Sequence, residues 1–488
     1  MMQVEYYSTR SFDDEPTSFV VAVLRGIPPG GGLYMPWPIP KLDPDKVGLW
    51  RGYSFADIAY WVIGALIGDA IPSKDIYHIC HDIFKAENFR NGSRASVEEV
   101  LPLTKVCPGL LLAELSNGPT LAFKDYGALF LARLYSYFYE KGIVTKKILV
   151  IVATSGDTGG AMINAFRGLT GVELVCLSGK GRVTTEQAAQ MYTASEANIH
   201  NLTVEGDFSD CQRIAKALII DPVLGERFQI ASANSINIAR IVAQVAYHAY
   251  AYVAVTDHAG QFVDSIVQAG NLGNGVSGLI AKRMGIPFRS ITLVQNENDP
   301  VARFLRDGTY RPDAETHKTW SSAQDVRDPS NFERLLFTMT YGRALEVTRL
   351  MNLLATQGGF DVSETPYWVP PNSEVELSAV TCTDKDVIST ARRVYRDAGL
   401  IIDPHTANVI TVGLSRYDSG LLQGGVPTIA FETAQPAKFG EFVREALGID
   451  PPVPESLRRL LNLEHRITTL PNDIEAVREY VRGIKTEA

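Results

Sequence analysis

Short uninterrupted apolar runs alternate with amphipathic stretches along most of this chain, and glycine-rich turns join them. "KKILVIVAT" (146–154) is one such run; it meets "SGDTGGA" and then the helical pattern "MINAFRGL". "VELVCLS" (172–178) is another. The stretch "FVDSIVQAGNLGNGVSGLIAKRMGIP" (262–287) repeats the order strand, glycine turn, helix, and "FRSITLVQNEN" (288–298) and "VPTIAFET" (426–433) read as further strands. Buried strands alternating with helices predict a parallel α/β sheet covered on both faces. Ligands in such sheets bind at the carboxyl ends of strands, and the glycine turns fall there.

The first hundred residues have a different texture. They are rich in proline and glycine up to Pro44, including "PPGGG" and "MPWPIP", and then turn helical until about "ENFRNGSRASVEEV". This predicts an N-terminal domain over 1–98 and a catalytic region over 99–488. The most membrane-like run, "FADIAYWVIGALIGDAIP" (55–72), is too short in its apolar part to span a bilayer and is bracketed by Asp57, Asp69 and Pro72; it predicts a buried helix. A chain of 488 residues suggests about three domains or subdomains. With a net charge of −9 and no basic block, a nucleic-acid partner is not expected. The five cysteines form neither a metal spacing nor a disulfide framework, and the start lacks a signal-peptide pattern, so a cytoplasmic setting is expected. No H-E-x-x-H, Cys-x-x-Cys or G-x-S-x-G occurs and the eight histidines are dispersed, which argues against a metal site or a serine hydrolase.

Candidate chemistry begins with "NGPTLAFKDYGALF" (117–130), where Lys124 sits inside an apolar run. Either the side chain snorkels out to water or an amine is needed there. In "SGDTGG" the hydroxyls of Ser155 and Thr158 and the first helical N–H groups could hold a carboxylate; the same residues read equally as a capped strand-to-helix turn. "AGNLGNGVSG" (269–278) crowds Gly270, Gly273 and Gly275 before a helix, a stronger cradle for one phosphate, without the dinucleotide spacing or a Walker lysine. "SANSINIARIVAQVAYH" (232–248) places Asn234, Ser235 and Asn237 before an apolar helix with Arg240 one turn in; an N-cap with a surface arginine is the plain alternative. Thr433, at the end of the late strand in "FETAQPAKFG", could meet a ring nitrogen or belong to a simple turn. A lysine that is hard to hydrate, a phosphate cradle and a second anion site together suit pyridoxal 5'-phosphate chemistry on an amino acid.

These residues resemble the threonine synthases. "GPTLAFKDYG" is similar to that family's cofactor-lysine segment, and "YYSTR", "FVVAVLRGIPPGGGLYMP", "ATSGDTGGA", "EGDFSDCQ", "SANSINIARI", "SSAQDVRDPSNFERL", "DPHTAN" and "TAQPAKF" follow in the family's order, nearly end to end. The resemblance is to the longer branch, which carries an extra N-terminal domain. It implies a pyridoxal-phosphate enzyme of fold type II, tryptophan synthase β-like: two open twisted α/β subdomains, the smaller near 127–245 and the larger the remainder. It implies that Lys124 carries the cofactor as a Schiff base and acts as acid and base. Gly270, Asn271, Leu272, Gly273 and Asn274 would wrap the phosphate and Thr433 would meet the pyridine nitrogen. Ser155, Asp157 and Thr158, with Asn234 and Ser235, would hold the substrate carboxylate, and Arg240 the substrate phosphate.

Two departures stand out. The long branch usually has histidine where Asn117 and Gln435 stand, so two imidazoles become neutral amides at the substrate end. The implied reaction is O-phospho-L-homoserine plus water giving L-threonine plus phosphate, by a lyase of amino-acid biosynthesis working as a monomer or homodimer. The alternative, resting on Asn117 and Gln435, is a threonine-synthase-like phospho-lyase or β/γ-replacement enzyme making an unusual amino acid or a 2-oxo acid.

Overall fold

The computed structural model of the chain describes residues 3–11, 15–92, 94, 96, 98–154, 156–368 and 377–486. Two sheets organise it. The larger has six strands in the order Leu377–Thr381, Phe288–Gln295, Val263–Gln268, Thr428–Phe431, Leu110–Ala113 and Leu103–Cys107, parallel except for the last pair. The smaller has five parallel strands, Thr468–Leu470, Ile199–Val204, Val172–Gly179, Ile148–Ala153 and Gln229–Ser232. The expected strands at 148, 172, 263, 288 and 428 all form. Val172–Gly179 and Val263–Gln268 are buried at every position, as strands covered on both faces must be. Thr468–Leu470 brings the C-terminal segment back onto the edge of the smaller sheet, a contact the sequence pattern did not suggest.

The apolar run at 55–72 forms the helix Phe55–Ile67, opened by a capping box between Ser54 and Asp57 and buried along most of its length. Among the described residues no helix is long and apolar enough to cross a membrane. Its ring Phe55 lies 5.4 Å from Tyr126 of the helix Lys124–Glu140 and 5.3 Å from Tyr250 of the helix Ile238–Val255. Phe89 comes within 4.8 Å of the same Tyr126. The N-terminal helices therefore share one continuous core with the helices behind the catalytic segments.

Candidate active site

Each candidate segment leaves the carboxyl end of a strand. The turn before Lys124 is tight: Leu121 has φ of 61°, in the left-handed region. Asp125 braces it, accepting from Thr120 N at 2.8 Å and Thr120 Oγ1 at 2.6 Å. Burial pushes the Asp125 carboxyl up to about 6 against those hydrogen bonds. Gly118 has no room for a side chain, since a Cβ would stand 2.4 Å from Asp125 Oδ2. The chain then pairs with the segment after Thr428–Phe431. Phe123 N donates to Thr433 O at 2.9 Å, Gln435 N donates to Leu121 O at 3.1 Å, and Ala122 bridges Ala434. Backbone pairing thus fixes Lys124 relative to Thr433.

Lys124 opens the helix Lys124–Glu140, and its side chain keeps 18% of its surface. Nζ lies 3.7 Å from Asp157 Oδ2 and 5.3 Å from the centroid of the Phe123 ring. Burial lowers its pKa; Asp157 opposes this, while Lys438 and Arg240 add to it. An amine so placed is more readily uncharged, the form that attacks an aldehyde.

The turn expected to cradle a phosphate follows Val263–Gln268. The helix Gly273–Met284 starts with no side-chain cap, so its leading N–H groups are left for an anion. The strained position is Leu272, with φ of 60°, and not a glycine. Gly275 is the glycine that packing requires: a Cβ there would stand 2.7 Å from Leu293 Cδ2. A Cβ at Gly270 would come 3.2 Å from Ala323 O, whereas one at Gly273 would make only ordinary contact with Ile241. Asn274 is buried; its Oδ1 accepts from Tyr247 at 2.9 Å and its Nδ2 has no partner among the described residues. Asn271 is exposed, and its Oδ1 accepts from Ser330 N at 3.2 Å.

Thr433 is buried, with Oγ1 3.3 Å from Gln268 Oε1, which also accepts from Gln324 Nε2 at 2.8 Å. Gln268 Nε2 and Gln324 Oε1 are buried without partners among the described residues. Neutral amides beside Thr433 suit a ring nitrogen that need not carry a proton. The Gln324 loop is held by His405, whose Nε2 accepts from Ala323 N at 3.1 Å; its proton therefore sits on Nδ1, 2.9 Å from Asp403 Oδ1.

Arg240 is buried, not on the surface. Its helix is capped by Asn237, which accepts from Ala239 N. Arg240 Nη1 donates to Ala233 O at 3.1 Å, Nε has no partner among the described residues, and burial alone lowers the guanidinium to about 10. Asn234 is exposed, and Ser235 Oγ lies 2.8 Å from Ser330 Oγ. Ser330, with Asn331 donating to Asn271 O at 2.9 Å, joins the Ser235 turn to the phosphate turn.

Ser155 lies outside the described residues. Thr158 is half-buried in the first turn of the helix Asp157–Phe166, and Thr154 Oγ1 accepts there from Gly156 N at 3.0 Å and Gly159 N at 2.8 Å. The Asp157 side chain differs from expectation. It is a carboxylate engaged by cations, Lys438 Nζ at 2.7 Å and Lys124 Nζ at 3.7 Å, so it cannot itself receive a substrate carboxylate. Burial works to raise the Asp157 carboxyl, but Lys438 and Lys124 hold it well below the ordinary range. Lys438 escaped the sequence reading, although "AQPAKF" embeds a lysine among apolar residues much as the Lys124 segment does. Asn117 and Gln435 come together, fully buried: Gln435 Nε2 donates to Ser116 Oγ at 2.8 Å and to Asn117 Oδ1 at 3.4 Å. Gly92 covers them so closely that a Cβ would fall 1.8 Å from Asn117 Oδ1.

Pyridoxal phosphate fits these residues: an amine for its aldehyde, an uncapped helix start for its phosphate, a hydroxyl for its ring nitrogen, and orphaned donors on Asn274 and Gln268 between them. The fold is that of a pyridoxal-phosphate-dependent enzyme of fold type II. Residues 5–84 match the family model "Threonine synthase N terminus", residues 102–357 "Pyridoxal-phosphate dependent enzyme" and residues 411–481 "Threonine synthase, C-terminal". The chain is 34% identical to threonine synthase of Corynebacterium glutamicum over 98% of both chains, and 35% identical to that of Methylobacillus glycogenes over 98% of this chain and 99% of the relative. Among solved structures it resembles PLP-bound threonine synthase from Brucella melitensis (TM-score 0.89, 33% identity, 98% of this chain and 99% of that one). It also resembles the yeast enzyme (TM-score 0.88, 31% identity, 99% and 98%). The chain belongs to the threonine synthase family.

Proposed function

We propose that this chain converts O-phospho-L-homoserine and water to L-threonine and phosphate. The observation that carries the reading is Arg240, a buried guanidinium with no carboxylate beside it among the described residues, close enough to Lys124 to depress that amine. A buried cation without a counter-ion is costly unless an anion arrives. The helix start at Gly273 serves the cofactor phosphate, so Arg240 is left for a second phosphate, that of the substrate. Thr158, Asn234 and Ser235 hold the substrate carboxylate.

Pyridoxal phosphate, when bound, supplies the electron sink that makes the substrate's Cα and then Cβ protons acidic. Lys124 Nζ takes the Cα proton and holds it as an ammonium beside Asp157 Oδ2. Arg240 binds the phosphate as it departs from Cγ. We place the reaction in the cytoplasm, in a monomer or homodimer; the five unpaired cysteines support a reducing compartment.

The test is product analysis by NMR after incubation with O-phosphohomoserine. Threonine and phosphate in equal amounts are expected. The buried pair Asn117 and Gln435 favours one second reading, a phospho-lyase, because amides cannot move protons near neutral pH as imidazoles do. In that case 2-oxobutyrate would replace threonine. Absence of turnover with the cofactor bound would overturn both.

A further inference from the structure

We infer that Lys438 is a positioning residue for Lys124: it takes up one oxygen and much of the charge of Asp157, so that the carboxylate serves the Lys124 amine without locking it as an ammonium. The inference rests on reading Lys124 as the cofactor lysine. Lys438 ends the short helix Pro436–Lys438, five residues past Thr433, and its side chain keeps 1% of its surface. Its Nζ lies 2.7 Å from Asp157 Oδ1 and donates to Thr120 O at 3.2 Å. Gln187 Nε2 donates to the same Oδ1 at 3.2 Å, and Gln190 Nε2 to the same carbonyl at 3.0 Å. The other carboxylate oxygen, Oδ2, is left to Lys124.

The charged groups facing Lys124 are Asp157 from the helix Asp157–Phe166, Lys438 from Pro436–Lys438 and Arg240 from Ile238–Val255; Asp125, on its own helix, is bonded to Thr120. One carboxylate thus stands between two ammonium groups. Alone, Asp157 would favour the charged form of Lys124 strongly, as an opposite charge within about 4–6 Å does. A base that must pick up and release a proton in each turnover works best when neither form is locked. A buried ion pair is weak support for a fold, because apolar residues of similar size fill such a place as well. The geometry therefore points to the chemistry of Lys124 and not to stability alone.

The experiment strips the full-length protein of cofactor, adds back pyridoxal phosphate and follows the visible absorbance of uptake as a function of pH. The acid limb reads the uncharged fraction of Lys124, and titration of the added cofactor is common to every variant. Lys438→Met is expected to move the midpoint up by about one pH unit, which is about tenfold slower uptake on that limb. Lys438→Arg is expected to keep the midpoint of the natural protein. Lys438→Met combined with Asp157→Asn removes both partners and is expected to move the midpoint below it. A purely structural role predicts no such reversal of sign. If Lys438→Met fails to fold, the double variant carries the test. An unmoved midpoint in Lys438→Met, or a double variant not below the natural protein, overturns the inference. The readout needs no O-phosphohomoserine, so failure to make threonine would sink the proposed reaction while leaving this result standing, and the reverse also holds.

Discussion

A single lysine explains why this site is assembled from so many strand ends. A cofactor-bearing Lys124 would have to be uncharged part of the time, and each neighbour acts on that balance: burial disfavours charge, Asp157 and the face of the Phe123 ring favour it, and Lys438 and Arg240 oppose it. Its ion pair is long, 3.7 Å, so little of the fold depends on it. Lys124→Ala should therefore lose the visible absorbance of bound cofactor while its thermal midpoint stays near that of the natural protein; retention of a dialysis-resistant visible band would refute the assignment. The sequence singled out Lys124 because its flanks are apolar, and Arg240 and Thr433 through the segments they occupy. It could not show that Asp157 is already paired, because Lys438 lies 281 residues further on.

Glu432 is a second residue whose charge is in question. It is fully buried, and Arg94 Nη2 contacts it at 2.6 Å while Arg94 Nε serves Glu114, also fully buried, at 3.0 Å. One guanidinium answers two carboxylates. Burial raises Glu432 to about 7, with Arg94 working the other way. An unfolded glutamate titrates near about 4.3. The folded state thus binds this proton more tightly, so the stability it lends is complete below the unfolded value and is lost as pH rises through about 7. Glu432→Gln removes that loss. Its melting temperature, compared with the natural protein from pH 5 to 8, should gain relative ground as pH rises; parallel curves would show that Glu432 does not titrate in this window.

At the scale of elements, most of the buried central strands were readable and the half-buried edge strands were not. Val172–Gly179 is buried at all eight positions, while Leu377–Thr381 and Thr468–Leu470 have no fully buried residue and carry no run to notice. The glycines of the phosphate turn were readable as a group but not singly. Their spacing cannot say which one faces a strand and which a ligand. Gly275 faces Leu293, which is fully buried and hard to move. Gly275→Ala should cost about 1–3 kcal/mol by overpacking. Gly273→Ala, in ordinary contact with Ile241, should stay within about 0.5 kcal/mol. Urea denaturation of the two variants side by side decides this, and equal losses would mean that the helix and strand are free to separate.

At the scale of the molecule, the shift from a proline- and glycine-rich start to alternating strands and helices suggested an N-terminal domain over 1–98. Its core is continuous with that of the rest of the chain. Phe55, Phe84 and Phe89 surround Tyr126, two residues past Lys124, and Tyr126 in turn lies 5.6 Å from Tyr247 on the helix that carries Arg240. Arg334, fully buried, donates to Tyr34 O at 3.0 Å and to Ile236 O at 2.7 Å, tying the segment at Tyr34 to the turn before that helix. The N-terminal residues thus wall the back of the two helices that carry Lys124 and Arg240. A chain beginning at residue 99 should leave Tyr126 and the adjoining helix faces bare, and so should neither fold cooperatively nor retain cofactor. A milder version is Phe55→Ala, expected to cost about 3–5 kcal/mol and to weaken cofactor binding at temperatures where the rest of the chain is still folded. Limited proteolysis and circular dichroism of the truncated chain, with visible absorbance for the point variant, measure both. A stable, yellow fragment from 99 onward would show that the shared core is dispensable, and that the N-terminal residues serve something other than holding Lys124 and Arg240 in place.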